Sequence, residues 1–278
     1  MPATVKPLNF RLFQISFASS RPMQEEISSE DKLLFLFMGA SNLARGYSLL
    51  TRYLSRCLGV KNIEFLNALG PGRGFYAKGG MFNFIYPPIQ DCQVIEAAEK
   101  KTKNKQVVLI TDLGNDLMYG VTADELIECL DTLINRMLKW NADIFLTSIH
   151  INMKKDISRR TFYILRFIFY PNSKMNYEET DSLIIKVNDY LEEKTRNNKK
   201  VHLITGMESY MGSDKIHYSL LKMHKAWSKV TDEFFWTLNV PLTKKLELTD
   251  GIISVLANLK RLVFCDILGW DKKSRDFF

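Results

Sequence analysis

Cysteine is scarce in this chain and never closely spaced. Cys57, Cys92, Cys129 and Cys265 are the four among 278 residues, with no C-x-x-C pair, which argues against a disulfide framework and reads as buried free thiols in a reducing compartment. Glycine (14) and proline (8) are too few for an extended or low-complexity protein. No apolar run reaches transmembrane length, so the chain is expected to be soluble or peripheral. No internal repeat is present. The net charge of +7 comes without any RNA- or DNA-binding motif. The lysine runs Lys100-Lys101-Thr102-Lys103 and Lys199-Lys200 lie beside predicted element ends and read as solvated faces. Nucleic acid is therefore not expected as a partner, while peripheral contact with an anionic membrane stays open. Near the start, Leu12–Ala18 is short for a signal segment and is interrupted by Gln14 and Ser16. The expected location is the cytoplasm, with a signal or anchor segment left open.

What is present is an alternation. Leu33–Met38, Ile63–Leu66, Gln106–Thr111, Asp143–Ile149 and Val201–Ile204 read as short buried strands. Between them apolar residues recur at helical spacing, as in Leu43, Tyr47, Leu50, Leu54 and Leu58. Thr122 to Glu125 is a capping box that opens a helix through Met137, and Asp181 to Glu193 carries Ile184, Val187 and Leu191 on one face. A last long helix is predicted from Ser219 to Trp236, with Leu220, Trp227, Val230 and Phe234 inward. Strands alternating with helices imply a parallel sheet covered on both faces, in a flavodoxin-like three-layer α/β/α sandwich. The expected organisation is an irregular arm over 1–30, a main domain over 31–240, and an extension over 241–278 that packs on it, where Thr249-Asp250 caps a short amphipathic helix.

Ligands of such sheets sit beyond the carboxyl ends of the strands, where the polar, glycine-rich sequences occur. After the first strand comes Gly39-Ala40-Ser41-Asn42, which taken alone reads as a helix N-cap at Ser41. After the second comes Asn67-Ala68-Leu69-Gly70-Pro71-Gly72-Arg73-Gly74, without the G-x-G-x-x-G spacing of a dinucleotide site. The third ends in Asp112-Leu113-Gly114-Asn115-Asp116, alone a turn. Ser213-Asp214-Lys215-Ile216-His217 places an acid three residues before a histidine, so the acid can hold one ring nitrogen. His150 and His202 fall in strand patterns and read as structural.

Singly these motifs are weak; as an ordered set over residues 31 to 238 they resemble the SGNH (GDSL-like) hydrolases. The resemblance implies that fold on a five-stranded parallel sheet and an esterase or lipase-like acylhydrolase. It assigns Ser41 as nucleophile, Asp214 and His217 as its partners, and an oxyanion hole from the N–H groups of Ser41 and Gly72 (Gly70 as fallback) with the Asn115 side chain. Two departures stand out. Ala40 replaces the acid of G-D-S, and Gly114 and Asn115 are adjacent, leaving Leu113 at the usual glycine position. The order Ser, Asp, His also occurs in α/β-hydrolases, but Leu43 stands where G-x-S-x-G needs its second glycine, and Asp214 and His217 are only three apart.

The implied chemistry is acyl transfer through Ser41 to water, with no metal or cofactor, on a small-molecule or lipid ester. Two alternatives are an acyltransferase using the same triad and a non-catalytic binding protein on the same fold. Oligomeric state is not legible. Asn42, Tyr119, Tyr218 and Phe162 are candidates for substrate binding. The aromatic stretch Phe162–Tyr170 reads as a buried helix packing on the core, in preference to an acyl-chain wall or a membrane-facing patch.

Overall fold

The computed structural model describes residues 32–81, 84–101, 105–241 and 244–261. The N-terminal arm, with its signal or anchor question, and Cys265 lie outside them.

The first strand, β1 (Leu33–Gly39), is buried along its whole length, as a central strand covered on both faces must be. Its side chains alternate. Leu34, Leu36 and Met38 enter one apolar cluster, and Leu33, Phe35 and Phe37 enter the other. Helix α1 (Ser41–Leu58) follows, then β2 (Ile63–Leu69), a small antiparallel hairpin of β3 (Gly79–Met81) and β4 (Phe84–Tyr86), α2 (Gln93–Glu99) and β5 (Lys105–Ile110). Next come α3 (Gly114–Met118), α4 (Ala123–Leu138), β6 (Asp143–Thr147), α5 (Met153–Asp156), α6 (Arg159–Phe169), α7 (Tyr177–Asn197), β7 (Val201–Ile204), α8 (Met223–Leu238) and α9 (Leu248–Arg261).

The main sheet is parallel in the order β2-β1-β5-β6-β7, with Met38 level with both Ala68 and Ile110. This is the flavodoxin-like order expected from the alternation. One face carries α2, α4 and α7 around Val94, Leu130 and Val187. The other carries α1 and α8 around Leu50, Trp227 and Phe234. Gly46 lets α1 and α8 close up: a Cβ there would stand 2.0 Å from the Trp227 indole nitrogen.

The capping box forms as expected, with Glu125 N–H donating to Thr122 Oγ1 and Thr122 N–H to the Glu125 carboxylate. Other expectations need correction. Residues 219–222 make turns, so α8 starts at Met223 and Leu220 is half exposed. β6 ends at Thr147, which releases Ile149 and His150 into the loop that follows. Of the 241–278 stretch, the described part holds α9, which packs on α1 and α8 and pairs Asp250 with Arg56. Asp250 also accepts the Glu247 N–H at the start of α9. Cys92 and Cys129 are buried free thiols and Cys57 is partly exposed. No helix among the described residues is long and apolar enough to cross a membrane.

Candidate active site

The strand order reverses between the parallel neighbours β1 and β5, whose chain exits diverge to opposite faces, so a crevice opens at their carboxyl ends. At the exit of β1 the N-cap position of α1 belongs to Ala40, not Ser41, and alanine offers no side-chain cap. The missing acceptor comes from β5. Asp112 Oδ2 accepts the N–H groups of Ala40 (3.0 Å) and Leu43 (3.1 Å), placing a carboxylate where helix N–H groups favour one. Asp112 achieves this from the left-handed region, at φ 62°, a conformation that aspartate tolerates better than most residues. Ser41 is thus the first helical residue, partly exposed on the wall of a cavity.

The histidine loop is closed by a bridge between Met211 and Tyr218 and by Gly212 N–H donating to His217 O at 2.7 Å. Within it Asp214 Oδ1 accepts the N–H groups of Ile216 (3.1 Å) and His217 (3.0 Å). Its Oδ2 lies 2.7 Å from His217 Nδ1. Partial burial pushes the Asp214 carboxyl up, but bonds from the His217 ring and the two backbone N–H groups outweigh it and hold the pKa down at about 2. With Nδ1 engaged, Nε2 is the histidine's remaining nitrogen. The Phe169 ring meets the His217 ring edge-on at 5.7 Å.

Asn42, buried beside Ser41, couples the two segments. Its Nδ2 donates to Ile216 O and to Asp112 Oδ1, both at 3.0 Å, and its Oδ1 accepts the Tyr218 N–H at 2.8 Å. The residue after Ser41 is therefore bonded to both chain neighbours of His217. One turn along α1, Arg45 Nη2 donates to Tyr218 O at 3.1 Å. Burial lowers the Arg45 pKa, while the charges of Asp214 and Asp112 oppose that shift.

Asn115, on α3, donates its Nδ2 to Arg73 O at 3.0 Å and accepts from the Tyr170 hydroxyl. Next to it, Asp116 accepts the N–H groups of Phe75, Tyr76 and Ala77, fixing the glycine-rich loop. Burial raises the Asp116 pKa against those donors. Gly72 holds φ 72°, and Tyr119 donates to its carbonyl at 2.6 Å. A Cβ on Gly72 would stand 2.7 Å from Gly80 O, so the loop and hairpin need glycine there. Gly72 does not line the cavity; it joins the crevice through its neighbour Arg73 and the Asn115 bond.

The cavity holds about 880 Å³, counting its open mouth. Ser41, Asn42, Asp112 and Asn115 line it where the strands end, and mostly apolar side chains from α3, α5, α6, α7 and the β6–α5 loop line the remainder. Phe162 is part of this wall, as are Leu165 and Tyr170. Tyr119 and Tyr218 are not, because each is turned into the protein: Tyr119 to the Gly72 loop and Tyr218, buried, to His150 Nε2 at 3.1 Å. The buried-helix reading of Phe162–Tyr170 is also corrected. α6 buries Phe162, lines the cavity with Leu165, and exposes Tyr163, Ile164, Phe167 and Ile168. Its apolar residues exceed what one buried face can take.

His150 belongs to the loop and the cavity wall, not to a strand. Burial, with a smaller effect from Lys229, lowers its pKa to about 4. The unfolded chain takes up this proton at higher pH than the folded one, so stability should fall as pH drops from about 6.5 to about 4. The expected loss is on the order of 2–3 kcal/mol. Urea midpoints at pH 7 and 4.5 should show that His150→Gln removes much of that slope; an unchanged slope would refute the assignment.

Sequence reasoning missed Asp112, Arg45, Asp116, Tyr170 and the cavity role of His150. The detectable signal was Ala40 itself: a helix with no local cap invites a carboxylate from elsewhere. Among the described residues no group of three or more His, Cys, Asp or Glu side chains converges as metal ligands would.

No family model matches the chain, and no curated protein matches it. Solved structures similar to it include a psychrotrophic esterase, EstA, from Pseudoalteromonas sp., at 15% identity over 75% of this chain and 100% of that one, with a TM-score of 0.49. A carbohydrate acetylesterase family member from Sinorhizobium meliloti is similar at 11% identity, over 74% and 99% of the two chains, with a TM-score of 0.47. A GDSL-like lipase from Bacteroides thetaiotaomicron is similar at 11% identity, over 78% and 92%, with a TM-score of 0.44.

Proposed function

We propose that this chain is a serine ester hydrolase of the SGNH type, acting through Ser41, His217 and Asp214. The observation that carries the reading is the Asn42 clamp: the residue beside Ser41 is bonded to both neighbours of His217, whose Nδ1 is already held by Asp214. That arrangement suits His217 Nε2 to take the Ser41 proton as Ser41 Oγ attacks an ester carbonyl. The tetrahedral oxyanion is met by the Ser41 N–H and the Asn115 side chain, both on the cavity wall, while the Gly72 loop positions Asn115 through the Arg73 carbonyl. Asn115 Nδ2 spends one proton on Arg73 O and keeps a second for this role. His217 then returns the proton to the leaving alcohol. Water, deprotonated by His217, releases the acid and restores Ser41. The carboxylate of Asp214 stabilises the imidazolium throughout.

The test is covalent labelling. An ethyl fluorophosphonate should add one phosphonyl group per chain, on the peptide carrying Ser41, and His217→Ala should slow the reaction at least about a hundredfold. Labelling elsewhere, or none, refutes the reading.

A further inference from the structure

We propose that the acyl part of the ester is a hydrocarbon chain of about eight carbons or more, seated in the cavity between α3, α6 and α7. This rests on the hydrolase reading of Ser41 and adds the substrate class to it.

Three observations support it. The cavity starts at Ser41 and Asn115 and continues along Leu117, Ile149, Phe162, Leu165 and Ile184, which come from three helices and a loop and of which all but Leu165 are buried. Such a wall offers dispersion and water exclusion and no pattern of donors.

Three of the polar side chains on this wall already have partners in the protein. Thr180 Oγ1 donates to Asn176 O at 2.7 Å, Arg166 Nη1 to Met175 O at 2.6 Å, and His150 Nε2 faces the Tyr218 hydroxyl at 3.1 Å. A polyhydroxylated acyl group would find too few further partners along this mostly apolar wall for its hydroxyls, the costly case for a buried site.

Size is the third. The lining runs from Ser41 and Asn115 through α5 and α6 to Thr180 and Ile184 on α7, more wall than an acetyl group could cover. The wall is also braced. Phe162 packs edge-on against Tyr177 at 5.8 Å, and Tyr170 is bonded to Asn115, so both ends of α6 are held over the space.

The experiment is a chain-length series of p-nitrophenyl esters, acetate to decanoate, at concentrations below aggregation. Each methylene buried is worth about fourfold in transition-state binding, so kcat/KM should rise about 10²-fold or more from acetate to octanoate. Leu165→Trp, which fills the cavity beneath α6, should lower the octanoate-to-acetate ratio of kcat/KM at least about tenfold. A flat series, or a ratio unchanged in Leu165→Trp, overturns the inference while leaving the hydrolase reading intact. Calorimetry on Ser41→Ala separates the two: it should bind decanoate and not acetate. Decanoate binding to a chain that turns over no ester would keep the cavity assignment and sink the hydrolase reading; failure to bind decanoate would sink the cavity assignment.

Discussion

Ser41→Ala should lower kcat for an activated ester by about 10⁴-fold or more, with the melting temperature nearly unchanged. The two halves of this expectation come from one fact. The N-cap position of α1 is Ala40, and Asp112 supplies the acceptor for the Ala40 and Leu43 N–H groups. Removing the Ser41 hydroxyl therefore deletes no cap, whereas a capping serine would cost about 1 kcal/mol on truncation. His217→Ala should cause a loss of similar size, and the double variant should be no worse than either single one, because residues that act as a unit are not additive. In His217→Ala the Asp214 carboxyl also loses its ring partner, so its pKa should rise from about 2 toward the ordinary aspartate value. Steady-state kinetics with thermal melts checks the first part, and carboxyl titration by NMR checks the second. Retention of more than about a hundredth of the activity in Ser41→Ala would remove Ser41 from the chemistry.

The same region shows what a sequence can disclose and what it cannot. The parallel sheet was legible because β1, β5 and β6 are buried on both faces and so read as continuous apolar runs; Leu33–Met38 and Val201–Ile204 fall on β1 and β7. The Ser41 and Asp214–His217 segments were legible because their chemistry is local in sequence. Asp112 was not. Its role depends on a left-handed turn at the end of β5 and on the register that sets Met38 beside Ile110, and neither leaves a local pattern. The β3–β4 hairpin escaped because strands of three residues are too short to show a period. α6 was misjudged for a different reason. An apolar helix normally implies burial, but α6 has the cavity on one side and leaves Phe167 76% exposed on the other.

Asn42→Asp, although isosteric, should be strongly damaging. The wild-type carboxamide gives two donor bonds, to Ile216 O and Asp112 Oδ1, and takes one from Tyr218 N–H. Aspartate keeps the acceptor and loses both donors. It also sets a second carboxylate against Asp112 across the 3.0 Å now spanned by a hydrogen bond, at a residue only 6% exposed. An unsatisfied buried carbonyl costs about 1–3 kcal/mol and the like-charge contact adds to it, so a total loss of about 3 kcal/mol or more is expected. Because the clamp fixes the loop carrying His217, kcat should fall about a hundredfold with KM little changed. The pH dependence distinguishes this from a packing defect. Beside Asp112 the substituted carboxyl has a raised folded-state pKa, so its penalty is full above that pKa and is relieved as pH falls through it. The melting-temperature gap to wild type should accordingly narrow between pH 7 and 4.5, while Asn42→Leu, which cannot titrate, should keep a constant gap. If the Asn42→Asp gap stays constant as well, the Asn42–Asp112 contact does not govern this site.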